Sequence, residues 1–423
     1  MKKLIFVFLI GFNVYGQHIS SWKISRIVKK NKLFSKSHVS IAIQRLGSNK
    51  KIKGVQSSKY MTPASNLKIL TFLAALETFD SLPVINYSLI KKELHIKSTG
   101  YPLLFHPKYA DNKLEDFLNS YKDITYHPSP SNLPRFGSGW AWDDYPYYFS
   151  SQTSVFPLFG NVVRFSNSKK NQILAYPSLF NVIEDKSLSA DVVRYESSNT
   201  FKINSLRSPL KDSIYIPFKT SEKLVAELLN YRLESEVKYE SEDLKTYKVL
   251  YTKDLKTIYQ AILKDSDNLI AESLLLMISK ELNDDFSISK VIRKLKNDWS
   301  SWLPDEALWY DGSGLSRYSM VTPRTLVAVL QKTYDKIGLK GVQEYFAAGG
   351  ESGSIKNFYQ KEEGPFVYAK TGTLRNNHNL SGYIVSRKGN WYVFSIMVNH
   401  FESSTKEIRI AIGDLLNYIY KKG

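Results

Sequence analysis

Cysteine is absent from all 423 residues. Its absence excludes disulfides, thiolate metal sites, a cysteine nucleophile and a lipid-modified N-terminal cysteine. Histidine is scarce: His18, His38, His95, His106, His127, His378 and His400 are the full set. None of them forms H-x-x-x-H or H-E-x-x-H, which argues against a zinc hydrolase. Acidic residues are in deficit, 40 Asp and Glu against 58 Lys and Arg, for a net charge of +18. Long apolar runs are also lacking. The one sustained run, Leu4 to Val14, is too short for a bilayer crossing, which takes about 20 residues. With Met1-Lys2-Lys3 ahead of it and Tyr15-Gly16-Gln17 behind, it has the layout of a secretory signal peptide cleaved after Gly16. Losing Lys2 and Lys3 takes the net charge from +18 to +16. Export argues against a nucleic-acid partner, and the lysines are scattered rather than massed. A peripheral contact with an anionic cell-envelope surface is the expected use of that charge, against the alternative of an ordinary solvated basic surface.

What is present reads as globular. The apolar share is 43% and the charged share 23%, close to ordinary values, with room for two or three domains at about 150 residues each. Residues 38–46 have strand character, and Asn66 to Phe79 carries helical spacing through Leu67, Leu70, Leu73 and Ala74. From about 82 to 218 the texture becomes aromatic-rich, with short segments punctuated by Pro, Gly, Ser and Asn, which predicts β-structure with long loops. Helices are expected at 221–233, 253–264, 268–281, 286–300 and 322–337, and strands at 366–373, 380–387 and 391–399. The last segment, Thr405 to Lys421, has helical spacing through Ile408, Ile412, Leu415 and Leu416. It suits a helix packed on its own sheet better than a membrane foot.

Three short motifs carry chemistry. In Ser65-Asn66-Leu67-Lys68, a lysine three residues after a serine lies one helical turn away on the same face. Burial and the positive end of the helix lower its pKa, so a neutral amine can take the serine proton. S-x-x-K occurs nine times here, but only at Ser65 does it open an apolar helix behind a Pro-Ala turn. Ser266-Asp267-Asn268 precedes another amphipathic run and reads either as a helix N-cap cluster or as a hydroxyl and a carboxamide that relay a proton and orient an amine. Lys370-Thr371-Gly372-Thr373 follows a strand-like segment and occurs once. Its cation and hydroxyls suit a carboxylate, and glycine inside a strand suggests close approach by a ligand backbone.

In the order S-x-x-K, S-D-N, K-T-G, the three are the signature set of the penicillin-recognising serine acyltransferases. The 197 residues between Lys68 and Ser266 imply an inserted domain. The chain resembles the class C low-molecular-mass penicillin-binding proteins, the D-alanyl-D-alanine carboxypeptidase/endopeptidases. The resemblance rests on Tyr60 to Lys68, on Gly139-Trp140-Ala141-Trp142-Asp143-Asp144, and on Tyr310-Asp311-Gly312-Ser313-Gly314-Leu315-Ser316-Arg317. It runs from about residue 35 to the C-terminus and is poorest over 145–220.

That resemblance implies an α/β (α+β) fold: a penicillin-binding, serine β-lactamase-like core with an antiparallel sheet covered by helices, and a β-rich insertion. The expected division is 17–83 and 219–423 for the core and 84–218 for the insertion. It implies Ser65 as nucleophile, Lys68 as base, Ser266 as proton relay and Asn268 as a partner of Lys68 and the substrate amide. Backbone N–H groups of Ser65 and Thr373 would form the oxyanion hole, with Lys370, Thr371 and Thr373 around Gly372 holding the substrate carboxylate. Asp144, with Asp143 as fallback, and Arg317 would contact substrate. Peptidoglycan stem peptides are the implied substrate, β-lactams the covalent inhibitors, and neither cofactor nor metal is called for. Two departures stand out: Ser98 to Leu104 lacks an aspartate usual in the family's turn there, and Arg375-Asn376-Asn377-His378-Asn379 is polar and bulky where small residues are usual. The alternatives are a β-lactamase and a non-catalytic wall-binding scaffold. Glu115 to Asn119 does read E-x-x-L-N, but ahead of S-D-N rather than after it.

Overall fold

The structure, a computed structural model, describes residues 19–48 and 51–423. The expected signal peptide lies outside the described residues. The strand His38–Arg45 pairs antiparallel with Trp391–Asn399, bringing the two ends of the chain into one sheet. From its K-T-G edge this six-stranded sheet runs Ala347–Ala348, Val367–Leu374, Asn377–Val385, Trp391–Asn399, His38–Arg45, Lys53–Val55. Alternation across the pleat sends Ile41, Ile43, Leu380 and Ile396 to one face and Ala42, Tyr383, Val393 and Met397 to the other.

The first face is covered by two terminal helices. Thr405–Lys422 buries Ile408, Ile412, Leu415, Leu416 and Ile419 against the sheet, so its apolar stripe is used in packing. Ser21–Lys30, a helix that the sequence pattern did not suggest, adds Ile24 and Val28. The second face carries Lys68–Thr78 and Pro323–Tyr345, the latter broken at Gly338. In Lys68–Thr78 every residue from Lys68 to Ala75 is buried, as expected of a helix that is apolar nearly all round.

The insertion holds a five-stranded sheet in the order Glu236–Tyr239, Asp123–His127, Glu93–Ser98, Leu82–Ile90, Lys248–Thr252, and two three-stranded sheets. Its boundaries differ from the expected 84–218. Both Glu236–Tyr239 and Lys248–Thr252 pair with insertion strands, so the sheet reaches to residue 252. Helical spacing at 221–233 suggests a return to the core, yet the helix formed there, Glu222–Arg232, is tied to the insertion. Arg232 Nη2 lies 2.6 Å from Glu115 Oε1, and Glu222 accepts a hydrogen bond from Tyr126. The E-x-x-L-N run forms the helix Asn112–Asn119, where Leu114 and Leu118 are buried and Glu115 serves that ion pair.

Candidate active site

Ser65, the expected nucleophile, sits on a strained turn. Residues Ala64–Leu67 form a 3₁₀ turn ahead of the helix proper, which starts at Lys68 rather than at Asn66. Ala64 has φ +49°, a left-handed conformation that an L side chain resists. Three contacts hold it there. Asn66, fully buried, donates through Nδ2 to Lys370 O at 2.8 Å, and its Oδ1 accepts from Ser381 Oγ at 2.7 Å. Asn379 Nδ2 donates to Pro63 O at 2.8 Å. Gly314 and Gly372 let two other segments press on the turn: a Cβ would lie 2.0 Å from Ala64 O at the first and 2.3 Å from Pro63 O at the second. Gly372 therefore admits the protein's own backbone, not the ligand backbone that the strand pattern suggests.

Lys68 is fully buried, with Nζ 3.1 Å from Ser65 Oγ, 2.5 Å from Asn268 Oδ1 and 2.8 Å from Ser313 O. Burial brings its pKa down to about 8, against the opposing pull of Glu272, Asp311 and Asp267. The Asn268 amide is oriented without ambiguity. Its Nδ2 donates to Phe149 O at 2.8 Å, so Oδ1 must face Lys68. Phe149 belongs to the insertion, so the insertion fixes a group that touches the lysine.

In Ser266-Asp267-Asn268, a helix cap coexists with a contact to a buried lysine. Asp267 Oδ1 accepts from Ile270 N at 2.9 Å and caps the helix Asn268–Asn283. That leaves Ser266, at φ +64°, to accept from Lys370 Nζ at 2.8 Å. Lys370 is fully buried, and burial followed by the charge of Lys68 pulls its pKa well below the ordinary lysine range. The five residues thus form two hydrogen-bonded clusters, Lys68 with Ser65 and Asn268 and Lys370 with Ser266, coupled through space by the charge of Lys68 on Lys370.

The remaining expected residues divide. Thr373 lines a cleft of about 650 Å³ that also contains Ser65, Ser266, Asn268, Asp143, Asp144 and Arg317. Thr371 and Gly372 do not line it; Thr371 is buried and donates to Ser354 Oγ at 2.7 Å. An extended segment would send Asp143 and Asp144 to opposite sides. Trp142–Asp144 is instead a 3₁₀ turn, so both reach the cleft wall. Burial, then the neighbouring Asp143, raises the Asp144 pKa, with Arg317 opposing.

The strand edge matters as well. Val385 N donates to Phe366 O at 2.9 Å, and Gly349 N to Val367 O at 2.9 Å. By antiparallel alternation, the N–H and C=O of Thr371 and Thr373 point away from Asn377–Val385. The short strand Ala347–Ala348 covers only Tyr368 and Ala369, so among the described residues no strand pairs with the edge at Thr373, a residue that lines the cleft.

Sequence reasoning missed the supports. Glu272 accepts from Gly312 N at 2.9 Å and Ser313 N at 2.8 Å, fixing the carbonyl that binds Lys68. Its signal was the i, i+4 spacing from Asn268, one turn along the same helix face. Asp311, fully buried, accepts from Gly314 N at 2.9 Å, Ser316 N at 2.6 Å and Trp140 Nε1 at 2.9 Å, which explains why D-G-S-G and the insertion's tryptophan occur together.

A sheet with terminal helices on one face, a buried S-x-x-K helix on the other, and a serine, lysine and S-D-N cluster at its edge define a penicillin-binding type of serine hydrolase. The chain belongs to the D-Ala-D-Ala carboxypeptidase 3 (S13) family, whose profile matches residues 21–90 and 121–418, and it is a serine D-Ala-D-Ala carboxypeptidase. The profile's gap falls at 91–120, not over 145–220 where the motif resemblance is poorest. Among similar proteins, D-alanyl-D-alanine carboxypeptidase DacB of Haemophilus influenzae is 22% identical over 447 residues, 92% of each chain. Penicillin binding protein 4 of the same organism has a crystal structure with a TM-score of 0.70 at 20% identity, covering 95% of this chain and 100% of that one. A predatory endopeptidase of Bdellovibrio bacteriovorus matches with a TM-score of 0.52 at 16% identity, over 90% of this chain and 94% of that one.

Proposed function

We propose that this carboxypeptidase is exported, acts on peptidoglycan stem peptides through an acyl-enzyme on Ser65, and also cuts cross-links as an endopeptidase. The observation that carries the reading is the set of three partners around Lys68 Nζ. Asn268 Oδ1 and Ser313 O are acceptors only, so they hold both hydrogens of a neutral amine and leave its lone pair for the Ser65 hydroxyl. Ser65 Oγ loses its proton to Lys68 and attacks the carbonyl between the D-alanines. The oxyanion develops between the N–H groups of Ser65 and Thr373, each such donor being worth about 10²–10³ in rate. Collapse breaks the C–N bond, the Ser266 hydroxyl passes a proton to the departing nitrogen and takes in its place the one that Lys68 received from Ser65, and water hydrolyses the ester to regenerate the Ser65 hydroxyl.

The terminal carboxylate belongs beside Lys370 and Thr373. An arriving anion offsets the burial and the Lys68 charge that depress the Lys370 pKa, which favours a substrate bearing a free carboxylate. Asp144 is proposed to receive the ammonium of a diamino acid in the stem: it is the half-buried carboxylate on the cleft wall, and a charge left unpaired there is penalised. Relatives lend support to β-lactams as acylating inhibitors. Penicillin binding protein 4 of Haemophilus influenzae was solved in complex with a β-lactam, and a Bdellovibrio endopeptidase was solved acylated by penicillin G. Among the described residues no helix is long and apolar enough to cross a membrane.

The test is D-alanine release from a pentapeptide whose diamino side chain is free or acetylated. Wild type should prefer the free amine, Asp144→Asn should lose the preference while remaining active, and Ser65→Ala should release nothing. Release by Ser65→Ala would sink the nucleophile assignment. Equal rates for the two peptides with wild type would sink the role of Asp144.

A further inference from the structure

His378 stands directly opposite Thr373 across the sheet, where side chains of paired residues share a face. Its Nδ1 lies 2.7 Å from Thr373 Oγ1. The ring is fully buried, and its Nε2 has no hydrogen-bond partner. Thr373 is exposed at the cleft, so its single hydroxyl hydrogen has two claimants: the imidazole behind it and the substrate in front.

The imidazole is neutral. Burial, then the charges of Arg409 and Lys370, push its pKa down to about 3. One hydrogen therefore has two places to sit. On Nε2 it would be an orphaned donor in a dry interior, and Thr373 would turn its own hydrogen back onto Nδ1. The cleft would then meet only oxygen lone pairs, which repel a carboxylate. On Nδ1 the hydrogen is donated to Thr373 Oγ1, and the unpaired atom is a bare nitrogen acceptor. Underused acceptors are commoner in protein interiors than orphaned N–H groups, so the second arrangement is favoured.

We propose that His378 is a positioning residue for substrate recognition: its Nδ1–H holds Thr373 Oγ1 and turns the threonine hydroxyl outward as a donor to the substrate's terminal carboxylate. The inference rests on the carboxylate role proposed above for Thr373. It also gives a use to the polar run after K-T-G-T, where this chain departs from its family's small residues.

The test compares kcat/KM for a peptide ending in free D-alanine with that for its C-terminal amide. His378→Leu should lower the ratio about tenfold, the weight of one hydrogen bond to a charged group. Thr373→Val should do the same, and the double variant no more than either single one. His378→Asn, whose amide Nδ2 falls where the ring Nδ1 stood, should recover most of the ratio. Independently of any variant, 15N NMR of the wild-type imidazole should find Nδ1 protonated. A ratio that collapses in Thr373→Val but is untouched in His378→Leu would overturn the proposal alone, as would a proton on Nε2. A ratio untouched by Thr373→Val would remove the carboxylate role, and the His378 proposal with it.

Discussion

Lys68 is where single residues decide the chemistry. A fully solvated lysine is protonated at neutral pH and useless as a base. Burial lowers the Lys68 pKa to about 8, and the carboxylates of Glu272, Asp311 and Asp267 prevent it from falling further. Glu272 is itself buried, and that burial together with Asp311 raises its own carboxyl. The sign of the pH effect follows. Below about pH 8 the ammonium dominates, so acylation by a penicillin should rise about tenfold per pH unit and level off above it. Glu272→Gln removes a charge that raises the lysine pKa, so the rising limb should move to lower pH. Stopped-flow acylation rates between pH 5 and 10 check both; a limb that stays in place or moves upward in Glu272→Gln would contradict the assignment of Lys68 as base.

At the scale of elements, the site depends on how closely the K-T-G strand presses on the nucleophile turn. Gly372 is the point of contact, with backbone atoms on the far side that have no room to yield: a Cβ would be 2.3 Å from Pro63 O and 2.8 Å from Asn66 N. Gly372→Ala should push the strand Val367–Leu374 off the turn, separate the N–H groups of Ser65 and Thr373, and cost at least about 10²-fold in acylation rate along with about 1–3 kcal/mol of stability. Gly389 is the control. It is exposed, at φ +78° with open space around it, so Gly389→Ala should cost about 1 kcal/mol of stability and leave acylation unchanged. Thermal unfolding and penicillin acylation on both variants check this. The elements that carry S-x-x-K, S-D-N and K-T-G were legible because strong periodicity and capping residues mark them. Ser21–Lys30 was not, because its buried face is only Ile24 and Val28 within a Lys-rich segment. The reach of the insertion to residue 252 was hidden too, because Glu236–Tyr239 and Lys248–Thr252 find their partners more than a hundred residues earlier.

Over the whole molecule, the Lys68 and Lys370 clusters bring three distant stretches of core to an insertion that closes one wall of the cleft. The insertion meets the core there through Phe149 O on Asn268 and Trp140 Nε1 on Asp311, and again through Ser138 O on Ser316 and Gly139 O on Arg317. The five residues proposed as catalytic are marked in the sequence by motifs because chemistry restricts their types and spacing. Asn66 and His378 carry no such mark, since Asn66 finds its partners 304 and 315 residues away and His378 finds its own across a hairpin, while Glu272 offers only its i, i+4 spacing from Asn268. The proposed outcome of all these contacts is one reactive hydroxyl, that of Ser65. It is tested most directly by intact-protein and peptide mass spectrometry after brief exposure to penicillin G. One acyl adduct on the peptide containing Ser65 is the expected result, abolished by Ser65→Ala with unfolding behaviour unchanged. An adduct on any other residue, or none on folded wild-type protein, would contradict it.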